Sequence, residues 1–308
     1  MNAIILLGGL GTRLRPLTIL KPKALLPILN KPFLSYQFDL LRRSGIKNVV
    51  LAAGMANLPF KKEFLALGGR GLNVKICFEP FPLGTGGAIK FGYEQLLKYF
   101  PPSAVPVFVM NGDVFINLDI KSFFKKHLLN KAVVSIALTK VKDPSQFGVI
   151  ILNRNSRIMK FVEKPKKYVG DKINAGAYMM SSEWLNGIRS NTVLSVEKDL
   201  FPLTLKEEKP MFGFQINGYW NDIGTHTTYL KAHRDLSNGK SFMGKGSHVH
   251  STATLENSVL FENVLIGKET VIRNSIIASG VEISNNCCIE NAVLAEKTKI
   301  MSYSKVIG

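Results

Sequence analysis

The sequence predicts an α/β domain with a mainly parallel sheet, followed by a short left-handed parallel β-helix. Two observations lead to this prediction. Over the first 240 residues, short runs rich in β-branched residues alternate with amphipathic stretches of helical period. After that the helical period disappears, and apolar residues recur at every sixth position instead. The first pattern is typical of strand–helix–strand units, and the second is typical of hexapeptide repeats.

The alternating part of the chain begins with a strand and returns to a strand after each helix. The predicted strands are Ala3–Leu7, Asn48–Ala53, Val74–Phe78, Val105–Asn111 and Ala132–Thr139. The predicted helices are Leu34–Ser44, Leu58–Ala66, Gly87–Tyr99 and Ile120–Leu129. Because ligands of such sheets bind beyond the carboxyl ends of the strands, residues that directly follow these strands are candidates for a site.

The six-residue period begins at Ala253. Successive apolar residues six positions apart are Ala253, Val259, Leu265, Val271, Ile277, Ile283, Ile289, Ala295, Met301 and Ile307. In a left-handed β-helix three hexads form one coil and the repeated residue points inward, so this segment predicts roughly three coils. We therefore predict two domains, residues 1–240 and residues 247–308, with Gly239–Gly246 as the linker.

The composition is that of an ordinary globular protein. The 308 residues are 46% hydrophobic and 20% charged, and no apolar run approaches the roughly 18 residues of a membrane helix. Ala3–Leu7 is too short for the apolar region of a signal peptide and has no basic residue before it. Cys77, Cys287 and Cys288 offer no disulfide framework, which favours a cytoplasmic location.

The net charge of +18 indicates an anionic partner. Nucleic acid, an anionic membrane surface and a polyanionic small substrate would each fit this charge. The lysines are spread over the chain, and no aromatic RNA-reading motif accompanies them. We therefore expect no nucleic acid and no membrane as partner, and we assign a minority of the basic residues to a phosphate site.

A glycine-rich loop with two arginines follows the first predicted strand, within Leu6–Thr18. Closely spaced glycines let the backbone approach a ligand, and arginines favour an anionic one. The loop lacks the Lys-Ser/Thr pair of a P-loop, and Leu14 stands where the dinucleotide fingerprint has its third glycine. A second loop, Asn111-Gly112-Asp113, follows another predicted strand, so we expect both loops at one edge of the sheet.

The glycine loop is the start of a long series of ordered motifs. It reads GGLGTRLRPLT (Gly8–Thr18), and PKALLP (Pro22–Pro27) follows it. The later motifs are LGTGGA (Leu83–Ala88), NGD (Asn111–Asp113), QFGV (Gln146–Val149), FVEKP (Phe161–Pro165), INAGAY (Ile173–Tyr178), SVEKDLFP (Ser195–Pro202) and GYWNDIG (Gly218–Gly224). Together with the hexapeptide tail, the series resembles the sugar-nucleotide pyrophosphorylases, which are nucleoside-triphosphate:sugar-1-phosphate nucleotidyltransferases. Within that family it is most similar to the mannose-1-phosphate guanylyltransferases, also called GDP-mannose pyrophosphorylases.

The resemblance implies a Rossmann-like nucleotidyltransferase domain that joins GTP to a sugar 1-phosphate. In that reaction a sugar-phosphate oxygen attacks the α-phosphorus of the triphosphate and pyrophosphate leaves, so the main needs are positioning and positive charge. The resemblance makes Arg13 and Lys23 the catalytic residues, with fixed charges where negative charge develops. The nucleotide-binding positions that it implies are Leu7, Gly8, Gly9, Gly11, Thr12, Arg13, Glu79, Gly84, Thr85, Asn111 and Gly112.

The resemblance also implies a metal site and a sugar-phosphate site. Asp113 and Asp222 match the family's metal ligands, and carboxylate oxygens suit Mg²⁺. The sugar-phosphate positions are Gly148, Glu163, Lys164, Asn174 and Gly176. In the family the lysine meets the phosphate, the glutamate and asparagine meet sugar hydroxyls, and the glycines let the sugar ring approach the backbone. Glu197 and Lys198 lie in a matching motif without an assigned role.

One position favours guanine over a pyrimidine base. Relatives that use pyrimidine nucleotides have a glutamine five residues before the glycine at position 84, whereas Glu79 stands there in this chain. A carboxylate only accepts hydrogen bonds. Guanine offers adjacent N1–H and N2–H donors, whereas thymine and uracil would place carbonyl oxygens against the carboxylate.

Other functions stay open at this point. A guanylyltransferase for another sugar, such as a heptose, fits the same motifs, and Glu79 disfavours a thymidylyl- or uridylyltransferase for glucose 1-phosphate. A non-catalytic regulatory or scaffold subunit of the same architecture is a further alternative, although such proteins can lose the basic and acidic residues that are present here. Acyl transfer, with His248 or His250 as base, is disfavoured by the small number of coils. We expect a homo-oligomer, formed through the β-helix.

Overall fold

A computed structural model describes residues 1–69, 71–101 and 105–308. The chain divides into two compact units that are each discontinuous along the sequence. The first unit comprises Met1–Gly9 and Gln37–Trp220, and the second comprises Leu10–Tyr36 and Asn221–Gly308. The second unit therefore contains most of the glycine-rich loop together with the hexapeptide tail. This division is different from the change in sequence pattern near residue 240.

The helices and strands before the tail alternate as the sequence predicts. The strands are β1 (Asn2–Leu7), β2 (Pro27–Ile28), β3 (Lys31–Pro32), β4 (Asn48–Ala53), β5 (Asn73–Phe78), β6 (Val107–Asn111), β7 (Val114–Ile116), β8 (Val134–Lys140), β9 (Gly148–Leu152), β10 (Ile158–Glu163), β11 (Lys172–Met180), β12 (Met211–Gln215) and β13 (Trp220–Asp222). The helices are α1 (Phe33–Arg43), α2 (Lys61–Gly68), α3 (Gly84–Tyr99), α4 (Ile120–Leu129), α5 (Ser182–Asn186), α6 (Phe201–Lys206) and α7 (His226–Leu236). Three 3₁₀ segments cover Thr12–Leu14, Lys23–Leu25 and Met55–Phe60, and a turn of π-helix covers Val196–Leu200.

The large sheet of the first unit has a parallel half and a mixed half. Strands β6, β1, β4 and β5 are neighbours in this order, and all three pairings among them are parallel. Strand β11 runs antiparallel to β6, β8 and β9, while β9 and β10 form an antiparallel hairpin. The α/β class with a parallel sheet is thus confirmed, and the antiparallel hairpin is an addition that the alternating pattern did not predict.

Burial explains why these segments form the sheet and its helical layers. The apolar residues of the central strands are buried, with Leu6 of β1 partly so, which is typical of strands covered on both faces. Helix α3 contributes Ile89, Tyr93 and Leu96 to the same hydrophobic core. At Gly92, a Cβ would lie 2.7 Å from Ile4, so a glycine lets this helix pack closely on β1.

The tail of the second unit is a parallel β-helix with four strands on each of its three faces. Its strands are β14 (Phe242–Met243), β15 (His248–Val249), β16 (Thr254–Glu256), β17 (Val259–Leu260), β18 (Leu265–Ile266), β19 (Val271–Arg273), β20 (Ile276–Ile277), β21 (Glu282–Ile283), β22 (Cys288–Glu290), β23 (Val293–Leu294), β24 (Lys299–Ile300) and β25 (Lys305–Ile307). The expected three coils are therefore too few. The first strand, Phe242–Met243, lies within the predicted linker and already pairs with Val259–Leu260.

The strict six-residue period is wrong, because each coil has 17 residues rather than 18. Val249 pairs with Ile266, which pairs with Ile283, which pairs with Ile300. Ile277, Ile283 and Ile289 belong to the β-helix core as predicted. Leu265, Met301 and Ile307 are instead 46%, 74% and 58% exposed. The strands of each coil are spaced 6, 6 and 5 residues apart, so the position of the inward-facing residue shifts by one in every coil. A strict six-residue period therefore matches the inward-facing residues over only part of the tail.

Asparagines mark the shortened corner of each coil. Asn257, Asn274 and Asn291 follow one another at intervals of 17 residues, and all three have a left-handed backbone conformation. Asparagine tolerates this conformation better than most residues with a side chain. The amide of Asn257 also donates to Oδ1 of Asn274 at 2.6 Å, so this corner is held from one coil to the next.

Candidate active site

In the first unit, the glycine loop begins where β1 ends. The Leu7 carbonyl accepts a hydrogen bond of 2.8 Å from the side chain of Asn57. A Cβ on Gly8 would lie 3.2 Å from Oε1 of Glu79, whereas a Cβ on Gly9 would have no neighbour within 4 Å. Gly8 thus lies against Glu79, and Gly9 borders open space where a ligand could approach the backbone.

Glu79 is buried, with 3% of its surface exposed. Its Oε2 accepts the backbone N–H of Leu83 at 3.1 Å, while Oε1 has no hydrogen-bond partner among the described residues. Burial raises the pKa of Glu79, and the Leu83 N–H opposes that rise. One carboxylate oxygen is thus used at the start of α3, and the other remains as an unsatisfied acceptor beside Gly8. An unsatisfied buried acceptor in this position suits a ligand that brings a hydrogen-bond donor.

The LGTGGA motif forms the beginning of α3 and packs against a later segment. The N–H groups of Gly86 and Gly87 donate to the Leu194 carbonyl at 2.7 and 3.3 Å. Gly84 has a φ of +70°, and a Cβ there would lie 2.5 Å from that same oxygen. These glycines therefore serve close packing, and the N–H groups of Gly86 and Gly87 already have protein partners.

Thr85 connects this motif to SVEKDLFP. Its hydroxyl donates to Oε2 of Glu197 at 2.7 Å and accepts the N–H of Val196 at 2.9 Å. Ser195 also donates to Oε2 of Glu197, at 3.0 Å. Glu197, to which the sequence assigned no role, is therefore the residue on which both hydroxyls converge. The long sequence separation between the two motifs explains why this connection was not predicted.

The NGD turn follows β6, at the same edge of the sheet as Gly8. The Gly112 N–H donates to the Leu6 carbonyl at 2.9 Å, and a Cβ on Gly112 would lie 2.5 Å from that oxygen. Gln37 of α1 donates from Nε2 to the carbonyls of Asn111 and Val114, at 2.9 and 3.0 Å. The turn that carries Asp113 is thus held on both sides by one buried glutamine, which the motifs did not identify.

The sugar-phosphate positions come from three neighbouring strands. Gly148 on β9 is paired with Glu163 on β10, and a Cβ on Gly148 would lie 2.9 Å from Oε2 of that glutamate. On β11, the register changes between Asn174 and Tyr178, and Gly176 there has a φ of +71°. A Cβ on Gly176 would lie 2.9 Å from the side-chain amide of Asn111. Four of the five predicted positions are thus held at close contacts on paired strands.

Burial and the neighbouring charges together determine the direction in which the pKa of Glu163 is shifted. Burial and then the negative charge of Glu197 raise the pKa of Glu163, while Lys164 and Lys198 lower it. Lys164 is exposed and has a φ of +45°, which is costly for a residue with a side chain. Two carboxylates and two lysines thus act on one another in this region, where an anionic sugar phosphate is expected.

In the second unit, the rest of the glycine loop lies beside the PKALLP segment. Gly11 has a φ of +63°, and its carbonyl accepts the hydroxyl of Thr18 at 2.8 Å. A Cβ on Gly11 would lie 3.4 Å from Cβ of Lys23. Thr12 and Arg13 are exposed in the 3₁₀ turn that follows. The fold therefore brings Lys23 to the loop that carries Thr12 and Arg13.

Arg13 and Asp222 flank the same glycine. A Cβ on Gly224 would lie 3.0 Å from Oδ2 of Asp222 and 3.1 Å from a terminal nitrogen of Arg13. A predicted catalytic cation and a predicted metal ligand are therefore neighbours around a space that any side chain would fill. The carboxylate of Asp222 has the chemistry of a Mg²⁺ ligand, and the guanidinium of Arg13 has the chemistry of a phosphate-binding group. Across residues 1–69, 71–101 and 105–308, no group of three or more His, Cys, Asp or Glu side chains is placed to hold a metal ion.

The family models match both parts of the chain. The nucleotidyl transferase model matches residues 2–239, and the model for the GlmU-like C-terminal hexapeptide region matches residues 226–308. The chain is 37% identical over 232 residues to the mannose-1-phosphate guanylyltransferase catalytic subunit beta of Danio rerio, which covers 75% of this chain and 63% of that relative. It is 36% identical over 284 residues to mannose-1-phosphate guanylyltransferase 1 of Arabidopsis thaliana, covering 88% of this chain and 76% of the relative.

A solved structure with a bound nucleotide analogue is also similar. HddC from Yersinia pseudotuberculosis in complex with GMP-PN superposes with a TM-score of 0.63 and 28% identity, covering 76% of this chain and 99% of HddC. The matched residues of the Danio rerio relative amount to less than two thirds of its length. With the family model spanning more than two thirds of the sequence, the chain belongs to the nucleotidyl transferase family, and more narrowly to its sugar-nucleotide pyrophosphorylases.

Proposed function

We propose that the protein transfers the guanylyl group of GTP to mannose 1-phosphate, giving GDP-mannose and pyrophosphate. The observation that carries this proposal is the identity of 36% to a mannose-1-phosphate guanylyltransferase over a match covering 88% of this chain. The complex of HddC with GMP-PN supports a guanine nucleotide. The reaction forms one bond between a sugar-phosphate oxygen and the α-phosphorus and breaks the α–β phosphoanhydride bond. Since both substrates are polyanions, the protein must supply positive charge and alignment.

The roles that we propose for the individual residues follow from the resemblance to the sugar-nucleotide pyrophosphorylases. Arg13 binds the triphosphate and offsets the charge of the leaving pyrophosphate. Lys23 is a fixed charge at the α-phosphate, where negative charge develops in the transition state. Glu79 accepts a donor from guanine through its unsatisfied Oε1. Lys164 binds the sugar phosphate, and Glu163 accepts hydrogen bonds from sugar hydroxyls.

Asp113 and Asp222 are the residues that we propose for Mg²⁺. Bound Mg²⁺ would neutralise phosphate charge during the transfer. Asp113 belongs to a turn that Gln37 holds in place, whereas Asp222 is the last residue of β13 and lies beside Gly224. We further propose a cytoplasmic location, since Cys77, Cys287 and Cys288 are all free thiols. None of the helices in the described part of the chain is long and apolar enough to cross a membrane.

A substrate matrix tests this proposal. The purified protein is incubated with Mg²⁺, with each of GTP, dTTP, UTP and ATP, and with a panel of sugar 1-phosphates that includes mannose and heptose. Pyrophosphate release is followed, and the products are identified by mass spectrometry. The expected result is the fastest release with GTP and mannose 1-phosphate, with GDP-mannose as product. Faster turnover with another sugar or base would identify that compound as the substrate instead of the one proposed. No pyrophosphate release with any pair of substrates would favour a non-catalytic subunit.

A further inference from the structure

The carbonyl oxygen of Pro27 accepts two hydrogen bonds from one helix. The hydroxyl of Tyr229 donates to it, and Nε2 of His233 lies 3.1 Å from it. Tyr229 and His233 stand four residues apart on α7, so their side chains lie on one face of that helix. Pro27 closes the PKALLP segment, four residues after Lys23. Helix α7 is thus attached to the segment that presents the proposed catalytic lysine.

The chemistry of His233 indicates that this attachment has a role beyond packing. His233 is 1% exposed, and its Nδ1 is buried without a hydrogen-bond partner among the described residues. Burial lowers the pKa of His233 to about 4, so the ring is neutral, with its proton on Nε2 facing Pro27. An unsatisfied buried nitrogen costs stability that an apolar side chain of similar size would avoid. What His233 provides in return is the Nε2–H bond to Pro27.

The first two coils of the β-helix support the same two side chains. The ring of Phe261 lies 6.3 Å from that of Tyr229, and the ring of Phe242 lies 5.9 Å from that of His233. The Tyr229 and His233 rings also contact each other edge to face at 4.9 Å. Four aromatic rings, two from α7 and one from each of the first two coils, thus form one cluster behind the Pro27 carbonyl.

The path from Pro27 to Lys23 is short and well ordered. The Leu26 N–H donates to the Lys23 carbonyl at 3.1 Å, and Leu26 itself is 2% exposed. The Leu26 carbonyl in turn accepts the N–H of Phe33 at 2.9 Å. Because these groups are packed and bonded, a shift of Pro27 changes the backbone position of Lys23. Helix α7 also begins just after Asp222-Ile223-Gly224, with a capping box formed by Thr225 and Thr228.

We propose that α7, supported by the first two coils of the β-helix, positions Lys23 for catalysis through the Pro27 carbonyl. Tyr229 and His233 are positioning residues, and the hexapeptide tail thereby contributes to the chemical step although it carries none of the site motifs. The effect on turnover rests on the proposed function, whereas the effect on the Lys23 segment does not.

Three variants and one matched control test the catalytic part. Tyr229→Phe removes one donor but keeps the ring, and His233→Leu removes the other, whereas His233→Gln keeps an N–H donor near the position of Nε2. The control is His127→Leu. His127 lies on α4, is also a buried histidine with 2% of its surface exposed, and forms a hydrogen bond with Ser135 on β8. Misplacement of a catalytic group by a fraction of an ångström to an ångström lowers kcat strongly, so we expect a fall in kcat of about 5-fold to 50-fold for Tyr229→Phe and His233→Leu.

The pattern across the variants decides the outcome. KM for both substrates should stay within about twofold, and His233→Gln should recover most of the lost kcat, because binding groups are untouched. His127→Leu should lower Tm by a similar amount and leave kcat within about twofold, since it affects stability alone. The outcome that rejects the proposal is a fall in kcat of the α7 variants no larger than that of a control with the same loss of Tm. Tyr229 and His233 would then be structural residues only.

Hydrogen exchange separates this proposal from the proposed function. Amide exchange of residues 23–28 should be faster in Tyr229→Phe and His233→Leu than in the unmodified protein, and unchanged in His127→Leu. Phe261→Ala, which removes support from the β-helix side, should accelerate the same amides. Unchanged exchange in Tyr229→Phe, His233→Leu and Phe261→Ala would overturn the positioning role even if no substrate pair were turned over. Faster exchange without turnover of any substrate would support the positioning and reject the proposed activity instead.

Discussion

Glu79 is the residue that we propose selects guanine. Its Oε2 is used by the Leu83 N–H, and its Oε1 has no partner among the described residues. In Glu79→Gln the amide oxygen can keep the Leu83 bond, which leaves an NH₂ donor where Oε1 stands. That donor would oppose a guanine N–H and would suit a pyrimidine carbonyl. Since a mismatched buried polar pair costs about 1–3 kcal/mol, the ratio of kcat/KM for GTP over dTTP should fall by about tenfold or more.

The control for this substitution is Glu63→Gln on α2, where an exposed glutamate receives the same change. The GTP/dTTP ratio of that variant should match the unmodified protein. ITP, which lacks the exocyclic amine, should be a poorer substrate than GTP for the unmodified protein. The difference between ITP and GTP should be smaller for Glu79→Gln. A folded and active Glu79→Gln with an unchanged ratio would mean that backbone groups read the base.

Lys23 and Asp113 are the single side chains from which we expect the largest losses of activity. Lys23→Ala removes the fixed charge that we propose for the α-phosphate, and Asp113→Ala removes a proposed Mg²⁺ ligand. Removing such a group costs about 3 kcal/mol or more of transition-state stabilisation, so each variant should lose about 100-fold or more in kcat. The matched control is Lys21→Ala in the same segment, which should stay within about threefold. Circular dichroism and Tm confirm folding, and near-normal turnover in a folded variant would remove that residue from the mechanism.

Among the secondary-structure elements, helix α1 contributes to the site through Gln37, which holds the NGD turn at the end of β6. Gln37 is 2% exposed, and its two hydrogen bonds satisfy the carbonyls of Asn111 and Val114. Gln37→Leu would leave both carbonyls unsatisfied, at a cost of about 1–3 kcal/mol each. The turn should then hold Asp113 less firmly, so the Mg²⁺ concentration for half-maximal activity should rise several-fold, together with a lower Tm.

A glutamine elsewhere on the sheet's helical layer provides the control. Gln95→Leu on α3 makes the same chemical change at a half-buried position. A Mg²⁺ titration of activity and a thermal melt are measured for both variants. If Gln37→Leu loses Tm but its Mg²⁺ dependence stays equal to that of Gln95→Leu, Gln37 supports the fold without positioning Asp113.

The elements also show what the sequence could predict and what it could not. β4 and α4 have the predicted bounds, because both are set by local apolar period. Helix α2 begins three residues later than predicted, since Pro59 lies in a 3₁₀ segment that precedes it. The bonds of Gln37 to the NGD turn span 74 and 77 residues, and no local pattern records such a contact. The predicted motif positions Gly11 and Lys23 do lie together, as do Arg13 and Asp222 around Gly224.

At the scale of the whole molecule, the charge of +18 should influence how the substrates are captured. An excess of positive charge attracts polyanions over distances comparable with the Debye length, and salt screens that attraction. KM for GTP and for the sugar 1-phosphate should therefore rise by about threefold or more between low and moderately high ionic strength. Because kcat reports steps after binding, it should change much less over the same range. A KM independent of salt would confine the role of the basic surface to solubility.

The β-helix leads to a prediction about assembly. The coil that contains Met301 and Tyr303 leaves these side chains 74% and 80% exposed, and Ile307 nearby is 58% exposed. A second copy of the chain could cover these side chains, and we expect a homo-oligomer formed in this way.

The double variant Met301→Glu/Tyr303→Glu should lower the molar mass measured by light scattering, because it places charge on a surface that association would bury. Lys268→Glu, an exposed change on the same face of the β-helix but two coils away, is the control and should keep the mass of the unmodified protein. Since Met301 and Tyr303 are remote from Phe242 and Phe261 along the β-helix, the double variant should also keep its kcat. A molar mass that is unaffected by both substitutions would locate the association surface, if there is one, elsewhere on the molecule.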